Sequence, residues 1–172
     1  MDKTLKHLKI LSGVALGVVG GSFIEWAFHK HVLHGLGIKK NSIWNSHWYE
    51  HHKSARKHEM KDEFYDKSWP EQMKTYEFVF LSTACLSLIT FLKITQPQLF
   101  LAATITTLVL YGITYYVVHS KSHTDPEWAE KWLKHHVDHH MGKDQNKNWC
   151  VVFPLADHIL KTRIYTEKKT KT

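Results

Sequence analysis

The apolar residues of this chain gather into three blocks, Leu8 to Phe28, Phe78 to Leu92 and Leu99 to Val118, with strongly charged sequence between them. About 20 apolar residues suffice to carry a helix across a bilayer whose hydrocarbon core is roughly 30 Å thick. Such segregation fits membrane helices with a wet cap better than a soluble globule. In the first block Gly13, Gly17 and Gly21 recur every fourth residue, a spacing that lets a second helix approach closely in lipid. The second and third blocks are separated by Lys93 to Gln98, with Pro97 inside, which is long enough only for a tight turn, so these two form a hairpin. Trp69 and Tyr76 before the second block, and Tyr115 and Tyr116 at the end of the third, are candidate interface anchors. The expectation is an all-α fold of about three membrane spans, the first of which either crosses or re-enters.

The hairpin puts its two outer ends on one side. Segment 29–75 carries nine Lys/Arg and segment 119–172 carries ten, so nineteen of the 23 positive residues share that side. The positive-inside rule makes it cytoplasmic. The net charge of +7 is thereby read as topology bias plus solvated surface. A nucleic-acid partner is disfavoured, because the basic residues are scattered and no recognition motif accompanies them. Cys85 lies in an apolar block and Cys150 in the polar tail, with no CxxC pattern and no disulfide framework. The Lys-bearing start followed by an apolar stretch resembles a cleaved signal, but the stretch runs straight into a histidine cluster and is read as a structural helix. Residues 1–165 are read as one domain, with a disordered Lys/Thr-rich tail over 166–172. Lys53 to Lys74 reads as a loop or surface helix. Asp125 followed by Pro126 is a helix start, and that helix is expected to run to Met141 and stop at Gly142.

Histidine is the anomaly, with 15 copies. Four clusters stand out: His29-Lys-His31-Val-Leu-His34, His47-Trp-Tyr-Glu-His51-His52, His119-Ser-Lys-Ser-His123, and His135-His136-Val-Asp-His139-His140. Residues four apart on an α-helix lie about 40° apart around the axis, so His47/His51, His119/His123 and His136/His140 are each expected to share a face and grip one metal. His139 lies about 60° from His136, on the same side. His29 and His34 are about 140° apart and need a helix end or a bend, which Gly35 and Gly37 suit. His31 is about 200° from His29 and cannot share its face. His135 pairs with His139 by the same four-residue rule, so its part stays open. His7, His58 and His158 stand alone and read as surface residues. Ten boxed histidines overfill one tetrahedral zinc site, which points to two metals; imidazole suits iron and zinc alike.

The run Glu25-Trp-Ala-Phe-His-Lys-His-Val-Leu-His34 and the run His135-His-Val-Asp-His-His140 resemble the first and last boxes of fatty acid 2-hydroxylases. Over residues 22–163 the chain is similar to the fatty acid hydroxylase superfamily, which also holds sterol desaturases and compact carotene hydroxylases. Its length and the hairpin between the second and third boxes resemble the last of these. The resemblance implies a membrane-bound non-haem di-iron oxygenase that hydroxylates a lipid C–H bond, most simply on a fatty acyl chain, with O2 as co-substrate. The implied ligands are His29, His34, His47, His51, His52, His119, His123, His136, His139 and His140. Zinc could replace iron on purification. Cys150, Ala156 and Lys161 stand where the family's closing segment usually has Gly, Trp and Gly, which bears on substrate subclass.

Carboxylates that accept the second N–H of a ligating histidine orient it. Glu25, four residues before His29, is a candidate for this role. Asp157, which matches a family aspartate, is another, and both are placed with the catalytic residues. Asp138 is expected to point outward and Glu50 to be solvated. No flavin, dinucleotide or phosphate-loop signature is present, so electrons must come from a separate cytochrome or ferredoxin, steered by Arg56, Lys57 and Lys61. The histidine side would face the cytoplasm, at a bacterial inner membrane or the endoplasmic reticulum. Carotenoid hydroxylation and lipid desaturation remain alternatives on the same site. A metal-binding or metal-transporting membrane protein is the alternative of another class, although its ligands would lie within the apolar blocks and not beyond their ends.

Overall fold

A computed structural model describes residues 2–72 and 99–166. Within them every regular element is helical. α1 (Lys3–Ala27) runs without a break into a π-helical segment, Phe28–Leu36. A second π-helical segment, His47–His51, leads into α2 (His52–Lys57). A 3-10 turn (Glu63–Asp66) and α3 (Trp69–Gln72) follow, so the segment expected as loop or surface helix is a string of short helices. α4 spans Leu99–Thr124, α5 Pro126–Trp132, α6 Lys134–Met141 and α7 Leu155–Ile159.

α1 and α4 form the frame. A Cβ on Gly17 would sit 2.5 Å from Thr107 Cβ, one on Gly21 2.6 Å from the Tyr111 ring, and one on Gly13 would collide with the Phe100 carbonyl. The glycine spacing is therefore a packing seam, as expected. Contacts climb both helices together, so they run parallel and present His29 and His119 at the same end. Thr104 and Thr107 on α4 donate to the carbonyls of Phe100 and Ala103, which satisfies their hydroxyls inside the helix. Away from the seam, Leu8, Leu11, Val14, Leu16 and Ile24 of α1 and Leu110, Ile113 and Val117 of α4 are exposed. The helix Lys3–Leu36 and α4 are both long and apolar enough to cross a membrane by length and composition. The second apolar block and its hairpin turn lie outside the described residues, so two such helices are seen and not three.

Above this frame the interior is mostly polar. A small apolar cluster joins Met60, Ala129 and Val137, with Trp128 against it. Beside it every residue from His135 to His140 is buried. The expected helix from Pro126 to Met141 starts as foreseen, with Asp125 accepting from the Trp128 amide. It does not run through. Leu133, at φ −124° and ψ 40°, leaves the helical well and ends α5. α6 begins one residue beyond the break, and its histidines are all buried.

The C-terminal segment is stitched to α1. Ser22 donates to the Phe153 carbonyl at 2.7 Å and accepts from the Ala156 amide at 3.0 Å. Trp26 Nε1 donates to Thr162 Oγ1 at 2.9 Å. The polar stripe Ser22, Glu25, Trp26 on an apolar helix is thus used to hold residues 150–162.

Candidate metal centre

The two π-helical segments explain the odd spacing of the first two boxes. An i→i+5 hydrogen bond places residues five apart on one face. The His52 amide donates to the His47 carbonyl, and the Gly37 amide to that of Val32. His29/His34 and His47/His52 are the five-apart pairs so aligned, and together they form one group of four potential ligands. His51, His119, His123 and His140 form the other; within each group the ligand atoms lie within 4.8 Å of one another. His119/His123 is a four-apart pair on α4, as expected. His47 and His51 do not pair as foreseen: the π-turn sends them to different groups.

His136 and His139 complete the picture. His136 Nε2 lies 3.1 Å from His123 Nε2, beside the second group, and His139 Nε2 lies 3.2 Å from His52 Nε2, beside the first. The last box therefore serves both groups. Within the first, His29 Nε2 is 3.1 Å from His47 Nε2 and His34 Nε2 is 3.0 Å from His52 Nε2. The groups adjoin, with the His52 and His140 rings 4.4 Å apart. All ten expected ligands are brought together.

The outer nitrogens fix the state of the inner ones. His29 Nδ1 donates to the Trp149 carbonyl at 2.6 Å, His139 Nδ1 to that of Lys147 at 2.7 Å, and His123 Nδ1 to that of Met60 at 2.6 Å. A carbonyl only accepts, so each of these Nδ1 atoms carries the proton and each Nε2 is a bare lone pair. His51 Nδ1 likewise donates to Asp62 Oδ2 at 2.7 Å. His119 Nδ1 meets the Tyr65 hydroxyl at 2.9 Å, and His52 Nδ1 the Gln145 side-chain amide at 2.8 Å. The Nε2 atoms of His51, His119 and His140 are buried with no hydrogen-bond partner. Cations ligated at about 2.1 Å would hold neighbouring ligand nitrogens about 3 Å apart, which matches the separations above. Orphaned lone pairs, neutral imidazoles and this spacing fit two metal ions.

Electrostatics agrees. Burial, reinforced by neighbouring imidazoles, holds His47, His52, His136 and His140 well below the usual histidine range. Burial also lowers His139, to about 4, against the opposing pull of its Lys147 hydrogen bond. These rings are neutral near pH 7, the form that binds metal. Burial pulls the Asp62 carboxyl upward, but hydrogen bonds from His51 and the Phe64 amide more than reverse it, leaving it below its usual value.

The other candidates fall differently. Glu25 is buried but does not orient His29. Its carboxylate accepts from Tyr111 at 2.7 Å and from the amides of Val151 and Val152 at 2.6 and 3.2 Å. Asp157 accepts from the amides of Trp149 and Cys150 and from the Thr162 hydroxyl. Both carboxylates hold the strip that carries the Trp149 carbonyl, and so reach His29 only through it. Asp138 does not point outward: it is 1% exposed and paired with Lys134 and Arg163. Glu50 is exposed, as expected. His31 is exposed with its ring against Trp26, and His135 donates to the Val151 carbonyl at 2.7 Å, so neither joins a group. Arg56 donates to the carbonyls of His140 and Gly142, which makes it a clamp on the end of α6. Asp62, Tyr65 and Gln145 were not singled out by spacing. Each lies 11 residues or more from the histidine ring it touches, beyond any helical period.

A cavity of about 200 Å³ opens between α1 and α4. Its wall is apolar and aromatic, including Ile24, Phe28, Leu108, Tyr111 and Tyr115, and it reaches His29 and His119, one histidine from each group.

Residues 14–162 match the family model described as Fatty acid hydroxylase. No curated protein and no solved structure matches the chain. With most of its length matched, and with both histidine groups falling inside that match, the chain belongs to the fatty acid hydroxylase family.

Proposed function

We propose that the chain is an integral-membrane di-iron oxygenase that hydroxylates a C–H bond of a lipid, most simply of a fatty acyl chain, using O2 and electrons from an external donor. The observation that carries this reading is the apolar cleft that ends on His29 and His119. It runs from the level of Gly21 on α1 to that of His29 on the π-helical segment that continues it, roughly 12 Å at the rise of an α-helix, a length suited to a stretch of hydrocarbon chain.

His29, His34, His47, His52 and His139 would hold one iron, and His51, His119, His123, His136 and His140 the other. Bound there, the irons supply dioxygen activation, which an unactivated C–H bond requires and no side chain provides. The chain's own residues do the rest. The helix pair seats the acyl chain and excludes water from it. The carbonyls of Trp149, Lys147 and Met60 keep their histidines in the tautomer with a bare Nε2. Glu25 and Asp157 act as positioning residues through the 149–152 strip.

The helix Lys3–Leu36 and α4, with their exposed apolar faces, support a membrane location, and the positive-inside bias puts the histidine groups on the cytoplasmic side. Lys57 and Lys61 are exposed and suit an acidic cytochrome or ferredoxin; Arg56, held by backbone carbonyls, is better left out of that surface. Lipid mass spectrometry of cells making the wild-type chain or His123→Ala tests the proposal. An acyl lipid heavier by one oxygen, present only with the wild type, is the expected result. A product lacking two hydrogens would assign desaturation, and an oxygenated carotenoid would move the substrate. Unchanged lipids alongside a metal-loaded protein would contradict the reading.

A further inference from the structure

The second histidine group is served by one short loop. Met60 presents its carbonyl to His123, Asp62 its carboxylate to His51, and Tyr65 its hydroxyl to His119. Tyr65 also stacks on the His123 ring, 5.4 Å between centroids and 15° between planes. The loop is bent into place at a cost: Glu59 and Met60 have φ of 53° and 79°, the left-handed region that disfavours residues with a Cβ. Backbone held this way beside a cluster of orphaned imidazole nitrogens suggests a constraint of function. Asp62 is 6% exposed, and its second oxygen caps the 3-10 turn through the Phe64 amide at 3.1 Å. Its two oxygens are thus divided, one holding the loop and one holding His51.

A carboxylate behind a ligating imidazole fixes the tautomer and strengthens the ring as a donor. We infer that Asp62 is a positioning residue dedicated to the metal held by His51, His119, His123, His136 and His140, and that its charge tunes that metal position without touching the other. This rests on the dimetal reading above. In the first group the contact at the corresponding place carries no charge and runs the other way: the Gln145 side-chain NH2 faces His52 Nδ1.

The test is a titration of chelator-stripped, full-length protein in lipid nanodiscs with Co2+, followed by visible absorption and by the amount bound. Asp62→Asn removes the charge and leaves one accepting oxygen, which can serve either His51 or the Phe64 amide but not both. One of the two binding steps is expected to weaken by about ten- to a hundredfold, with the other unchanged. Gln145→Glu, at a half-buried position, supplies the reciprocal change and remains readable if the first variant does not fold. It is expected to tighten a binding step by a similar factor, and a different one from that weakened by Asp62→Asn. Equal effects on both steps, or no effect from either substitution, would overturn the inference while leaving the dimetal centre intact. A wild-type protein that binds no Co2+ would instead sink the dimetal reading itself.

Discussion

The two histidine groups are built with different helices. In the first, His29/His34 and His47/His52 are five residues apart and are brought onto one face by π-turns. In the second, His119/His123 and His136/His140 are four apart and sit on ordinary α-helices. Their supports differ as well. Residues 145–149 hold the first through the Gln145 amide and the carbonyls of Lys147 and Trp149, whereas residues 60–65 hold the second through a carbonyl, a carboxylate and a phenol. Spacing thus selects the helix type, and the helix type selects which group a histidine joins. The second and fourth boxes each feed both groups, which ties the two positions into one unit.

The comparison can be broken most forcefully by removing one ligand from each side. His34→Ala and His123→Ala should each abolish product formation, yet each should remove one metal and leave the other, so bound metal falls from two per chain to one. Elemental analysis of the purified variants reads this. Loss of both metals from either variant would mean the groups cannot be filled separately.

Next in size is the seam that sets the distance between them, since the π-helical segment continuing α1 carries His29 and His34 while α4 carries His119 and His123. Gly17→Leu forces a side chain into space already held by Thr107, and overpacking of this kind costs about 1–3 kcal/mol. Thermal unfolding should move down by several degrees. Activity should fall further than metal content, because each group keeps its own ligands while their separation changes.

Acid should weaken both groups. His47, His52 and His139 at the first, and His136 and His140 at the second, are held below the usual histidine value chiefly by burial. Between that value of about 6.5 and the lowered native values the unfolded chain binds more protons than the native one, so stability falls as pH falls. Metal-free protein should show a constant melting temperature above about pH 7 and a steady decline below 6.5. A melting temperature flat down to pH 4 would contradict the burial of these rings.

The smallest effects separate the two supporting loops. Glu59→Gly relieves a left-handed residue at an exposed position and should stabilise the protein by up to about 1 kcal/mol. Asn148→Gly, at φ 57° in the other loop, should destabilise it, because Asn148 Oδ1 accepts from the Ile164 amide and from Arg163. Paired melting curves decide whether strain or hydrogen bonding dominates at each loop.

Much of this architecture could be read from residue spacing, and the failures have physical reasons. The glycine seam and the Asp125 cap were legible because each follows from local geometry at fixed offsets. The ten histidines were legible as a set, but their division was not. An α-helical wheel pairs His47 with His51, and only the π-turn, which has no sequence marker here, separates them. Leu133 carries no breaker signal, yet its backbone leaves the helical well and ends α5 there. Asp138 looked solvent-facing because a wheel shows one helix and not the Lys134 and Arg163 that cover it. Most of the histidine partners were beyond reach, since backbone carbonyls have no residue type to read.

X-ray absorption on protein purified from iron-replete cells tests the central claim most directly. Two metals per chain, each in a shell of imidazole nitrogens near about 2.1 Å, with His34→Ala reduced to one, is the predicted result. A single metal per wild-type chain, or a four-ligand tetrahedral shell containing sulfur or carboxylate oxygen, would contradict it.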